Sequence, residues 1–215
     1  MTDTQKLIAK DLLKIKAVFF SPDKPFTWAS GIKSPVYCDN RLTLSDVKVR
    51  EDVENALMEN VKKHFPECEM LMGTATAGIA HAAIVATKMN LPMGYVRASA
   101  KDHGRTNQIE GRCPKGTKVV VVEDLISTAG SSLDVIDVLR ENEIEVLGMV
   151  SIFTYGMKKG LDRLASKNVK NVSCSNLDVL VDVAIEENYI KAEDKARLLK
   201  FRDNPSDESW MYKHD

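Results

Sequence analysis

Two carboxylates side by side, Glu123 and Asp124, followed by the small and hydroxyl-bearing run Ser127-Thr128-Ala129-Gly130-Ser131-Ser132, are the residues of this chain best suited to chemistry. Carboxylates accept hydrogen bonds from hydroxyls and attract the water shell of a magnesium ion, so an adjacent pair suits a sugar diol. Behind them, Ser127, Thr128 and Ser131 supply hydroxyl donors, while Ala129 and Gly130 let backbone N–H groups approach an oxyanion closely. The spacing of Leu133, Ile136, Val138 and Leu139 predicts a helix starting just after this loop, and a helix N-terminus in that position is a phosphate site. A ligand carrying both a diol and a phosphate, such as a ribose 5′-phosphate, satisfies the whole arrangement. The plainer alternative is a strand whose acids merely cap the next helix.

The element that must hold these groups is the run Val119-Val120-Val121-Val122, four β-branched residues that read as a central parallel strand buried on both faces. Unpaired charge is costly inside a sheet, so the strand is expected to end at the two acids and leave them in the crevice at its carboxyl edge. Neither a Walker nor a Rossmann glycine pattern follows it. A second strand and small-residue turn, Met70-Leu71-Met72 into Gly73-Thr74-Ala75-Thr76-Ala77-Gly78, offers further backbone amides to an anion; Ile79-Ala80 stands where a Walker loop needs Lys-Ser/Thr. A helix from Ile79 to Met89 carries His81, which has no ligand partner at i+4 and reads as a structural or surface residue.

After a strand at Met93–Arg97, residues 98–112 form a long polar connection with Lys101, His103, Arg105 and Arg112. It reads as a lid closing over a polyanion or as a solvated charge run. Upstream, β-prone runs around Ser30-Gly31 predict a small hairpin at an edge, within a hood of about residues 20–42. Apolar spacing predicts an amphipathic helix from Thr4 to Phe20, docking its apolar face on the domain or a partner subunit or lying on a membrane surface. A helix capped by Ser45 and ending before Pro66 is also expected. Val146–Phe153 and Val169–Cys174 read as strands, Asp178–Ile190 and Ala192–Phe201 as helices, and the polar tail from Asn204 offers Trp210 and Tyr212 as anchors.

Composition narrows the classes. The 215 residues are 44% hydrophobic and suit one α/β domain spanning 1–215. With 30 basic and 31 acidic residues the formal charge is −1, so no broad basic field serves nucleic acid or anionic lipid, and phosphate affinity must be local. The cysteines at 38, 68, 113 and 174 have neither disulfide-framework nor zinc spacing, which favours reduced thiols in a cytoplasmic setting. No signal peptide and no membrane-length apolar run is visible.

The pattern of four apolar residues, two acids and a Ser/Thr/Gly loop resembles the phosphoribosyl pyrophosphate (PRPP) motif of type I phosphoribosyltransferases. Together with Phe26-Thr27-Trp28-Ala29-Ser30-Gly31-Ile32-Lys33-Ser34-Pro35 and Lys101-Asp102-His103-Gly104, it resembles the orotate phosphoribosyltransferases over nearly the whole chain. The resemblance implies a mostly parallel sheet flanked by helices, a small N-terminal hood, Mg²⁺ held mainly by substrate and water, and a homodimer whose lid reaches the neighbouring site. It implies transfer of the phosphoribosyl group of PRPP to orotate, with Lys101, His103 and Asp124 in catalytic roles. PRPP would meet Arg97, Lys101, His103, Glu123, Asp124, Leu125, Ile126, Ser127, Thr128, Ala129, Gly130 and Ser131; orotate would meet Ser127, Tyr37 and Cys38. The chain departs from many members at Ala29 and Ala98, where they carry basic residues, and between Gly73 and Gly78, where they often carry a lysine. It also has no arginine at Thr154-Tyr155-Gly156. The orotate carboxylate is thereby left to backbone amides or to a cation the motif does not assign. The rival readings are a purine-type transferase, against which the hairpin argues, and a PRPP-sensing regulator, for which the chain shows no nucleic-acid-binding face.

Overall fold

The computed structural model describes residues 2–28, 31–98 and 108–212. Helix α1, Asp3–Lys14, starts with a capping box in which Thr2 and Gln5 satisfy each other's backbone N–H groups. It ends before the predicted Phe20: Lys16 turns to φ 56°, and Val18–Phe20 becomes strand β1. Phe19, expected on the helix's apolar face, is therefore 46% exposed. Strands β2, Phe26–Thr27, and β3, Lys33–Ser34, form the predicted hairpin, and β4, Val36–Cys38, pairs antiparallel with β1.

A 3₁₀ turn at Asn40–Ser45 leads to α2, Val47–His64. Asp46, not Ser45, caps it by accepting from the Val49 N–H, because Ser45 is still inside the turn. Next come β5, Met70–Thr74; α3, Ala77–Met89; β6, Met93–Val96; and β7, Ile109–Glu110. β7 pairs antiparallel with β6, so the end of the expected 98–112 lid belongs to the sheet. Strand β8, Lys118–Ile126, is followed by α4, Gly130–Glu141, then β9, Glu145–Thr154. Helix α5, Lys158–Ser166, was not expected; β10, Asn171–Asn176, α6, Leu177–Glu186, and α7, Lys195–Asp203, complete the main elements.

The six-stranded sheet runs β10-β9-β8-β5-β6-β7 and is parallel except for β7. From the central pair the chain winds outward in both directions, β5 to β6 one way and β8 to β9 and β10 the other. The crevice at the carboxyl ends of β5 and β8 is thus the switch point at which such sheets bind ligands. Val119 to Val122 are fully buried between helical layers. His81 and Glu54 are fully buried, with His81 Nδ1 2.6 Å from Glu54 Oε1, and they tie α3 to α2; His81 is a core residue. Among the described residues no helix is long and apolar enough to cross a membrane.

Aromatic rings join the C-terminal segment to the hood. Trp210, 1% exposed, meets Phe201 edge-on at 5.7 Å, Phe201 meets Trp28 at 5.8 Å, and Trp28 tilts against Tyr155 at 5.1 Å. Arg197 fixes the same junction by donating to the carbonyls of Trp210, Met211 and Pro22. Tyr212, expected as a second anchor, is 68% exposed.

Candidate active site

Strand β8 does not stop at the carboxylates; it carries them inside its last turns and ends at Ile126. What makes this tolerable is a set of neutral donors. Glu123, buried, accepts from Thr74 Oγ1 at 2.7 Å and the Asp124 N–H at 3.0 Å on Oε1, and from Ser132 Oγ at 2.8 Å on Oε2. Burial, reinforced by the neighbouring Asp124, pushes its carboxyl up to about 7, while the two hydroxyls pull the other way. Both oxygens being engaged, Glu123 is a buried anchor joining β5, β8 and α4, and Asp124 is the acid left to face a ligand.

Asp124 and Leu125 stand on the shared wall of two adjoining cavities. The first, of about 340 Å³, is lined by Thr74 to Ala77 from the loop after β5, by Arg97 and by Ser131 of α4. Arg97 Nη1 is buried without a hydrogen-bond partner among the described residues and pairs with Glu110 Oε1 at 3.9 Å, which fixes the arginine in the cavity wall. The second, of about 430 Å³, is lined by Ser127 together with Trp28, Tyr37, Cys38, Asp39, Arg41 and Tyr155. Cys38 is buried, its Sγ donating to Asn40 Oδ1 at 3.1 Å, and burial pushes its thiol well up, which disfavours the thiolate form.

Between the cavities the chain turns through Ser127 to Gly130. Ala129 takes φ 58°, a conformation disfavoured for any residue with a Cβ, and no side chain caps the helix that follows. Its first N–H groups are thereby left without a side-chain acceptor from the cap position. The turn is braced from outside by α5. A Cβ on Gly160 would lie 2.4 Å from the Ser127 carbonyl oxygen, so only glycine permits this approach, and Arg163 Nη1 donates to the Thr128 carbonyl at 3.1 Å. Asn40 Nδ2 donates to the Asp124 carbonyl at 2.7 Å and ties the hood to the same strand.

The structure thus brings Arg97, Asp124, Leu125, Ser127, Ser131, Tyr37 and Cys38 onto the two cavities and Thr128, Ala129 and Gly130 into the turn between them. Glu123 lines the first cavity from a buried position. Ile126 is 2% exposed and lines neither cavity; its carbonyl accepts from the Tyr155 N–H at 2.9 Å. Lys101, His103 and Arg105 lie outside the described residues, as does Ala29. Thr74, Asn40, Gly160 and Arg163 support the site and were not singled out by sequence, and Ser132, named only as the end of the loop, was given no role of its own. Only Thr74 and Ser132 carried a local signal, as hydroxyls next to the two loops.

A family model described as Phosphoribosyl transferase domain matches residues 46–188. A Bacillus cytotoxicus protein named Orotate phosphoribosyltransferase is 55% identical over 96% of this chain and 99% of its own. A Listeria innocua protein of the same name is 54% identical over 94% of this chain and 96% of its own. Among solved structures, orotate phosphoribosyltransferase from Aeropyrum pernix superposes with a TM-score of 0.73 at 33% identity, covering 85% of this chain and 99% of that one. Near-complete coverage at this identity, on a sheet whose switch point holds an acidic strand end and a phosphate-type turn, places the chain in the orotate phosphoribosyltransferase family of the phosphoribosyl transferase domain proteins.

Proposed function

We propose that the protein transfers the 5-phosphoribosyl group of PRPP to orotate, releasing pyrophosphate and forming orotidine 5′-monophosphate in pyrimidine biosynthesis. The observation that carries this reading is the position of Asp124 on the wall common to an anion-facing cavity and an aromatic-lined one. A sugar held at that wall has its leaving group on one side and its incoming base on the other. As the C1–O bond to pyrophosphate breaks, C1 becomes positive; the negative charge of Asp124, holding the diol, favours that centre electrostatically. Arg97 meets the departing diphosphate, the turn Ser127–Ser131 holds the 5′-phosphate, and a ring nitrogen of orotate donates the electron pair that closes the new bond as its N–H proton is released to water.

The donor set at the switch point suits a hydrated divalent ion, since Asp124 keeps a carboxylate to accept from metal-bound water while Glu123 is engaged. When bound, Mg²⁺ would neutralise diphosphate charge, with substrate and water supplying most of its ligands. The reading also includes Lys101 and His103 acting on the diphosphate, a homodimer whose lid serves the neighbouring site, and a cytoplasmic setting. Mixing inactive Lys101→Ala and Asp124→Asn chains under subunit exchange tests the shared lid: recovery to about a quarter of wild-type activity is expected, and no recovery removes it.

The function itself is tested by incubating the protein with PRPP, Mg²⁺ and, separately, orotate, uracil, adenine, guanine and hypoxanthine, following pyrophosphate release. Orotate should be the only good acceptor. A purine that outranks it would overturn the base assignment, and no turnover with any base would favour a PRPP-sensing role.

A further inference from the structure

The aromatic-lined cavity contains an electrostatic conflict if it receives orotate, whose ring carboxylate is ionised at neutral pH. Two acids, Asp39 and Asp124, line it, and each would repel that carboxylate. Among the described lining residues the one cation is Arg41. Trp28, Leu125 and Ala77 bring apolar surface, Tyr37 and Tyr155 add rings, and Ser127 contributes a small polar side chain.

Arg41 is placed by its neighbours rather than by its own packing. It sits in the 3₁₀ turn Asn40–Ser45, which is locked by Thr43 Oγ1 donating to the Asn40 carbonyl at 2.6 Å and by Asn40 Nδ2 donating to the Asp124 carbonyl. The distance from this turn to the strand that holds the sugar is therefore fixed by hydrogen bonds. The guanidinium donates through Nε to Asp39 Oδ1 at 2.6 Å and through Nη2 to Asp39 Oδ2 at 2.8 Å. That fork uses one edge of the planar group and sets its orientation; the other edge, with Nη1, is not used in it. The side chain is 65% exposed, so it is not spent filling the core.

We propose that Arg41 is the specificity-determining residue that receives the carboxylate of orotate, with Asp39 positioning its guanidinium. The assignment rests on the reading of this cavity as the base site. It answers a gap left by the chain itself, which has no basic residue at Ala29, Ala98 or Thr154-Tyr155-Gly156. It also gives the two acids of the cavity separate tasks, Asp39 on the arginine and Asp124 on the sugar.

The test measures steady-state kinetics of wild type, Arg41→Gln and Arg41→Lys, with thermal melts to verify folding. Turnover of orotate by wild type establishes the underlying function; absence of that turnover would sink the function itself, not the assignment of Arg41 within it. Arg41→Gln should raise KM for orotate by about tenfold or more, with kcat and KM for PRPP changed by no more than about twofold. Arg41→Lys should recover part of the loss, which a purely structural role in the turn would not predict. An unchanged orotate KM, an equal loss in PRPP affinity, or a lysine variant no better than glutamine would overturn the assignment. Should Arg41→Gln not fold, Arg41→Lys is compared with wild type for preference between orotate and its neutral carboxamide. A reduced preference supports the assignment, and an unchanged one overturns it.

Discussion

Two strand–turn–helix units stand side by side at the middle of the sheet, β5–α3 and β8–α4, and their local construction is alike. Each strand is parallel and buried, each turn is made of small and hydroxyl residues, and each helix starts without a side-chain cap at Thr76 or Ala129. Helices α1, α2 and α6, whose first turns line neither cavity, are capped by Thr2, Asp46 and Asn176. A cap is missing from α5 and α7 as well, so it is position at the switch point that gives the uncapped ends of α3 and α4 their meaning. The units differ in charge. The β5 turn carries no ionisable group from Thr74 to Gly78, whereas β8 carries two acids. They are also interlocked: Thr74 donates to Glu123, and a Cβ on Gly78 would lie 2.3 Å from the Val122 carbonyl oxygen. A neutral turn can approach an anionic leaving group and at the same time stabilise a buried acid next door. Two charged turns so close would repel each other.

This division of labour breaks most visibly at Asp124. Asp124→Asn should lower kcat by about a hundredfold or more while changing KM for PRPP much less, because the charge matters most as C1 becomes positive. Initial rates of pyrophosphate release across PRPP concentrations decide it; a change confined to KM would reduce the charged turn to ground-state binding. A smaller effect belongs to the neutral turn. Thr74→Val keeps the shape but removes a donor to Glu123, so kcat/KM should fall by about tenfold. The Glu123 carboxyl, already raised, should rise further, moving the acidic limb of the pH–rate profile upward between about pH 6 and pH 9. A limb that stays in place would show that the β5 turn does not tune its neighbour.

The smallest effect sharpens the same contrast through stability. Glu123 has a folded value of about 7 against an ordinary 4.5, so the folded state binds its proton more tightly than the unfolded chain does. Its contribution to stability is complete below 4.5 and is lost as pH rises through 7. Glu123→Gln removes this dependence. Its Tm relative to wild type should therefore increase by a few degrees, roughly, between pH 5 and pH 8. Melting curves at the two pH values giving a constant difference would mean that Glu123 is held ionised in the fold.

Much of this arrangement can be read before folding because the central motif is contiguous: one strand, two acids and one turn lie within Val119–Ser132. The strand's end could not be, since a rule against buried charge stops it at Val122, and the donors that lift the rule come from Thr74 on another strand and Ser132 on the next helix. Helix α5 escaped because Gly160 and two lysines make Lys158–Ser166 look like a loop; that glycine is required by the backbone it touches, a tertiary fact. Conversely, Ile15 and Phe19 prolong the apolar spacing of α1, and only the left-handed turn at Lys16 ends it. Arg41 carries no motif. Its meaning depends on Asp39 beside it and on Asp124 eighty-three positions away across the cavity wall.

The ring contacts that run from Trp210 through Phe201 and Trp28 to Tyr155 give the C-terminal segment a standing that its polar sequence hides. Tyr155 and Trp28 are walls of the aromatic-lined cavity, and Phe201, the ring that meets Trp28 from behind, rests on Trp210, five positions before the last residue. For anyone trimming or tagging this protein, the practical boundary is therefore Trp210. Chain added after Tyr212 extends from an exposed residue, whereas a truncation that removes Trp210 takes out the back support of the cavity and would present itself in an assay as a binding defect.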